Sequence, residues 1–89
     1  MSPFLSGSAW AMARDIANGH FLVTDRTFRQ LNAPEIHQLT FELDRFVREL
    51  RGDPPDLDDV AAARKRNQKL VRLTRVSRMI QLWRRENRQ

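Results

Sequence analysis

The last third of the chain constrains the fold most, because nothing between residue 57 and about residue 86 breaks a helix. The last prolines are Pro54 and Pro55, and no glycine follows Gly52. At a rise of about 1.5 Å per residue such a helix is about 45 Å long, whereas a compact chain of this size has a diameter of roughly 30 Å. We therefore predict a C-terminal helix that is longer than the rest of its domain is wide.

The 89 residues of the chain support one hydrophobic core, because a chain this short buries only about 60 to 65% of its unfolded surface. We predict a single, mainly α-helical domain over residues 1–89, built from three or four helices. Before the long helix, Asn32 and Glu35 have the spacing of a capping box, and apolar residues then recur at helical spacing up to Leu50. We expect this helix and the C-terminal helix to pack as an antiparallel pair.

A shorter helix is predicted near the N-terminus, over about residues 8–18. A serine precedes it, and the following Gly19 is typical of a left-handed helix end. Trp10, Ala13 and Ile16 share one face of this helix at multiples of three residues. We expect that face to belong to the core.

The segment 21–31 admits two interpretations. Its first residues have the composition of a short β-strand that returns through 27–31 as a β-hairpin, but Asp25-Arg26 lacks the glycine that tight hairpin turns favour. Alternatively, Thr24 caps a short helix over 25–31. We favour the helix and keep the hairpin as the alternative.

Charge is divided unevenly along the chain. Residues 1–59 carry six arginines and ten acids, a net charge of −4, whereas residues 60–89 carry ten basic residues and one acid, a net charge of +9. Such a division indicates either an anionic partner for the second part or an internal match between an acidic body and a basic helix. Eight of these ten basic residues are arginines, whose planar guanidinium forks suit phosphate and carboxylate alike.

The C-terminal helix is predicted to have two faces when it is projected at about 100° per residue. The apolar seam, predicted to be a protein interface, consists of Leu73, Val76, Ile80 and Trp83. The basic residues predicted to contact nucleic acid or an acidic protein surface are Arg64, Lys65, Arg72, Arg75, Arg78 and Arg85. Val71 and Leu82 fall among the arginines, and these extra apolar positions predict a second contact surface, such as that of a homodimer or a larger complex.

Several function classes are disfavoured by the sequence. There is no cysteine, so disulfides and thiolate metal sites are excluded. His37 has no candidate base or ligand beside it on its helix, and the aspartates between residues 53 and 59 lack the spacing of a calcium loop. We predict no enzymatic activity, no metal and no cofactor.

The first residues lack the basic start and apolar run of an export signal. No apolar stretch approaches the roughly 20 residues that cross a bilayer. We therefore expect a cytoplasmic location and no membrane partner.

We expect a small regulatory protein that binds nucleic acid or a nucleoprotein machine through the arginine-rich helix. The alternative is a homodimeric adapter or inhibitor that acts through the apolar seam of the same helix.

Overall fold

The computed structural model describes residues 7–87, which form four helices. They are α1 (Ala9–Ala17), α2 (Asp25–Arg29), α3 (Ala33–Gly52) and α4 (Val60–Asn87). The mainly α-helical class and the long C-terminal helix are thereby confirmed. Residues 7–87 contain no strand, so the segment around residues 25–31 takes the favoured helical form and not the alternative hairpin.

α2 forms because its threonines satisfy the backbone at its start. The Thr24 N–H donates to the Thr27 side-chain oxygen at 3.3 Å, and the Thr27 N–H donates to the Thr24 carbonyl at 2.9 Å. Asp25 and Arg26 therefore open a helix instead of turning a hairpin. The short helix delivers Phe28, which is fully buried, to the core.

α1 begins where the Ser8 hydroxyl accepts the Ala11 N–H at 3.1 Å, and it is followed by Gly19 at a φ of 77°. Its buried face is centred on Met12 and Ile16. The prediction that Trp10 belongs to the core is wrong. Trp10 is 45% exposed, because it lies about 120° around the helix from Ile16 and packs at the edge of the core, with its ring centroid 5.9 Å from that of Phe46.

α3 has the capping box that the sequence predicted. The Asn32 N–H donates to Glu35 Oε1 at 2.8 Å, and the Glu35 N–H donates to Asn32 Oδ1 at 2.9 Å. The helix then buries Ile36, Leu39 and Leu43. Pro34 has no N–H, so two of the three N–H groups that this helix start leaves open, those of Asn32 and Glu35, have side-chain partners, which fixes where this helix begins.

α4 begins at Val60, three residues later than the predicted start at residue 57. Asp59 Oδ1 accepts the Ala62 N–H at 2.9 Å, as a helix-capping side chain does. The Asp59 N–H in turn donates to the Asp56 carbonyl at 3.0 Å. Leu57 consequently lies in a turn and is fully exposed. The start of α4 is therefore set by the capping Asp59 and not by Asp56, the first of the nearby aspartates.

Side chains from α1, α2, α3 and α4 meet in one cluster of buried apolar residues. Leu73, Val76 and Ile80 of the apolar seam are buried in it, while Trp83 is half-buried with its ring centroid 5.9 Å from that of Phe28. A short chain needs its strongest apolar face for its own core. A partner helix would have to displace α1 to α3 to reach Leu73, Val76 and Ile80, so only Trp83 leaves part of the seam accessible, and the interface role stays a prediction.

α3 and α4 pack against each other and are joined by a short connection over 53–59. Arg66, near the start of α4, reaches Leu50, near the end of α3, so the pair runs antiparallel as predicted. The molecule measures 44 × 28 × 19 Å. Its longest dimension matches the length of α4, about 42 Å for 28 residues.

Candidate nucleic-acid interface

The side of α4 that faces away from the core carries a row of arginines. Arg64, Arg75, Arg78 and Arg85 are all exposed, and at about 100° per residue they fall within an arc of about 80°. We call this surface the arginine stripe. Four of the six predicted basic contacts are thus brought together on one face.

Neutral side chains lie between the arginines of the stripe. Val71 and Leu82 are 66% and 49% exposed, and the projection places both of them within the same arc. Asn67 and Thr74 complete the surface and are also exposed. The stripe is a shallow, cationic surface with small apolar and hydrogen-bonding groups among the charges.

The arginine stripe is not neutralised by acids of the described chain. The ion pairs within residues 7–87 join Arg14 to Asp15 and Arg45 to Glu42 and Glu49, and none of them includes a residue of α4. The internal match between an acidic body and a basic helix, which the sequence left open, is therefore not made by ion pairs in this part of the chain. The guanidinium groups of the stripe face solvent.

Arg72 is a predicted contact that the structure uses differently. Its Nη1 donates to the Ala17 carbonyl at 3.0 Å, at the end of α1. The guanidinium also lies against Gly19, where a Cβ atom would stand 2.9 Å from Arg72 Cζ. The last carbonyls of a helix have no partners within it and carry partial negative charge, which a cation stabilises. Arg72 therefore holds α1 to α4.

Arg66 plays the same part for α3, because its Nε donates to the Leu50 carbonyl at 2.8 Å. Arg66 is not among the predicted basic contacts. The glycines at 19 and 52 indicate helix ends, whose carbonyls need donors from elsewhere, but the sequence does not show which arginine reaches which end. Lys65, the sixth predicted contact, is exposed and lies about 80° from the edge of the stripe.

A small cleft adjoins the stripe between the α1–α2 connection and α4. It has a volume of about 280 Å³, and Arg72 and Arg75 are among its lining residues. The connection contributes Phe21, Leu22 and Val23 to the wall. None of these three residues is among the site residues predicted from the sequence.

Other site types find no support in the described part of the chain. Residues 7–87 contain no group of three or more histidine, aspartate or glutamate side chains placed to hold a metal ion. His37 is exposed. Among the described helices, none combines the length and apolar character that crossing a bilayer requires.

Comparison of the chain with family models, with curated proteins and with solved structures found no match.

Proposed function

We propose that this chain is a non-enzymatic, cytoplasmic regulatory protein that binds the phosphate backbone of nucleic acid through the arginine stripe. The observation that carries the proposal is the alignment of Arg64, Arg75, Arg78 and Arg85 on the outer face of one helix, without ion-pair partners in residues 7–87. A row of unpaired guanidiniums is complementary to a row of phosphates.

The dimensions of the stripe suit an extended polyanion. Arg64 and Arg85 are 21 positions apart in one helix, which corresponds to about 32 Å along the axis. Duplex DNA carries one phosphate per about 3.4 Å on each strand, so the stripe spans about nine base pairs. The surface is shallow along its whole length, which fits a backbone that lies across it better than a ligand that enters a cavity.

Pairing of two copies along the stripe is disfavoured by the same residues. Residues 64, 71, 78 and 85 repeat every seven positions, as the core positions of a coiled coil do. Three of these four residues are arginines, so a parallel pair would bring like charges together in its centre. The homodimeric adapter that the sequence offered as an alternative remains a prediction, and light scattering at increasing protein concentration tests it directly.

The proposal is tested by measuring the affinity for a short DNA duplex, by fluorescence anisotropy, as a function of salt. Four phosphate contacts give a slope of about −3.6 for log K against log salt, and hence about a 150-fold loss of affinity between roughly 50 and 200 mM salt. Removing two contacts with Arg75→Ala and Arg78→Ala reduces the slope to about −1.8, and the loss to about 12-fold.

A matched control replaces two exposed arginines that lie away from α4, Arg29→Ala with Arg48→Ala. This variant has the same net charge as the stripe variant and is expected to keep a slope close to that of the unaltered protein. Equal slopes for the two variants would show that net charge, and not the stripe, governs binding. Undetectable binding near 100 mM salt would refute nucleic-acid binding itself, and binding of an acidic protein in its place would show that the basic residues contact a protein surface.

A further inference from the structure

The cleft beside the stripe is small and mostly apolar. Three of its lining residues, Ile16, Val23 and Val76, are buried side chains of the core. Met79 adds a flexible thioether, and the partly buried ring of Phe21 forms part of the wall. A volume of about 280 Å³ lies at the lower end of the range for small-molecule sites. The cleft therefore suits one compact, flat group.

Part of the connection that borders the cleft leaves its backbone polar groups without partners in the described chain. Within the described chain, His20 donates its N–H to Asp15 and Thr24 donates to Thr27, but the backbone groups of the three residues between them make no hydrogen bond to protein. Those three residues, 21–23, all line the cleft. Next to an apolar surface, such groups favour a ligand with its own donors and acceptors over a purely apolar one.

Leu22 and Arg75 lie at the solvent side of the cleft. Leu22 is 85% exposed, and Arg75 belongs both to the cleft lining and to the arginine stripe. A polymer whose phosphates follow the stripe therefore passes the opening of the cleft. Arg75 is therefore the arginine of the stripe that borders both the phosphate-binding surface proposed above and the cleft.

We infer that the cleft binds one unpaired nucleobase of the nucleic acid whose backbone lies on the arginine stripe. This inference rests on the proposed function and adds a substrate class, namely nucleic acid with an unpaired nucleotide. An unpaired base offers a flat apolar face for Phe21 and Met79 and a polar edge for the backbone of residues 21–23. A base that remains stacked in a continuous duplex offers neither.

The test compares two DNA duplexes of roughly 20 base pairs, one fully paired and one with a single extra unpaired adenosine. The unaltered protein is expected to bind the bulged duplex about tenfold more tightly, because stacking of one base on a protein aromatic has an effect of about that size or larger. Phe21→Ala and Leu22→Ser are expected to abolish the preference while the affinity for the paired duplex stays the same.

Leu57→Ser is the matched control, because Leu57, like Leu22, is a largely exposed leucine but lies in the turn before α4. This variant is expected to keep the tenfold preference. Helical circular dichroism on heating verifies that each variant is folded, and Leu22→Ser keeps the test valid if Phe21→Ala loses stability.

The outcomes separate the inference from the proposed function. Salt-dependent binding with no preference for the bulge would overturn the base site and leave phosphate binding by the stripe intact. Absence of binding to both duplexes would overturn both. Binding of an acidic, phenylalanine-containing peptide that is lost in Leu22→Ser, without any bulge preference, would make the cleft a protein-binding site and also overturn the inference.

Discussion

The contact between Gly19 and Arg72 yields a prediction that a double-mutant cycle can measure. Gly19 has a φ of 77°, and a Cβ atom placed there would stand 2.9 Å from Arg72 Cζ. Gly19→Ala should therefore destabilise the fold in two ways. Alanine in the left-handed region costs about 1 to 2 kcal/mol, and its methyl group pushes the guanidinium away from the Ala17 carbonyl.

The second effect can be sized from the hydrogen bond that is lost. A hydrogen bond to a charged group contributes about 1.5 to 3 kcal/mol, and the exposure of Arg72 reduces this value to about 1 kcal/mol. Gly19→Ala is then expected to lower the free energy of unfolding by about 2 to 3 kcal/mol, and Arg72→Ala by about 1 kcal/mol. Once the guanidinium is absent the methyl group has nothing to displace. The double variant should lose only about 2 to 3 kcal/mol, so the two changes are subadditive by about 1 kcal/mol.

The assay is urea unfolding followed by helical circular dichroism, with the slope against urea compared among variants. Two controls are included, one for the coupling and one for the glycine-to-alanine change itself. Lys65→Ala should show no coupling to Gly19→Ala, and Gly52→Ala, where a Cβ atom meets nothing within 4 Å, should change stability by less than about 0.5 kcal/mol or raise it. Strict additivity of Gly19→Ala and Arg72→Ala would refute the assignment of Arg72 to the end of α1.

Three further predictions concern the core and the helix starts. Leu73→Ala should lower the free energy of unfolding by about 2 to 5 kcal/mol, because Leu73 is fully buried. Val71→Ala on the exposed stripe should change it by less than about 0.5 kcal/mol. Thermal melts of the two variants test whether the seam or the stripe faces the core. Asn32→Ala removes the acceptor for the Glu35 N–H and should cost about 1 kcal/mol in urea unfolding. Asp59→Ala should cost a similar amount and leave the phosphate-binding slope unchanged, since Asp59 caps α4 through the Ala62 N–H and lies outside the stripe.

The helices were predictable from the sequence where local chemistry decides them. The Asn32 and Glu35 pair and the apolar repeat after it define α3 with contacts only a few residues apart. The start of α4 was misplaced because several aspartates compete for the capping position. Only the backbone path after the prolines selects Asp59.

The partition of α4 into functional faces was less predictable, because it depends on contacts far apart in the chain. Arg72 and Ala17 are 55 positions apart. The helical projection places Arg72 outside the arc of the stripe, but it does not show that Arg72 contacts the end of α1. The apolar seam was recognised as a contact face, yet its periodicity is the same whether the partner is another molecule or α1 to α3. The cleft beside Phe21 escaped prediction since it is built by a connection without regular structure.

The continuity of α4 makes its residue count matter more than the identity of most of its side chains. Arg66 and Arg72 fix one side of the helix against the ends of α3 and α1, while Arg75 and Arg78 face outward from the same backbone. One residue inserted or deleted between Arg72 and Arg75 would rotate everything beyond it by about 100°, turning Ile80 toward solvent. Insertions and deletions should therefore be tolerated only in the connections between helices, whereas a substitution on the outer face of α4 keeps its core-facing residues directed at the core.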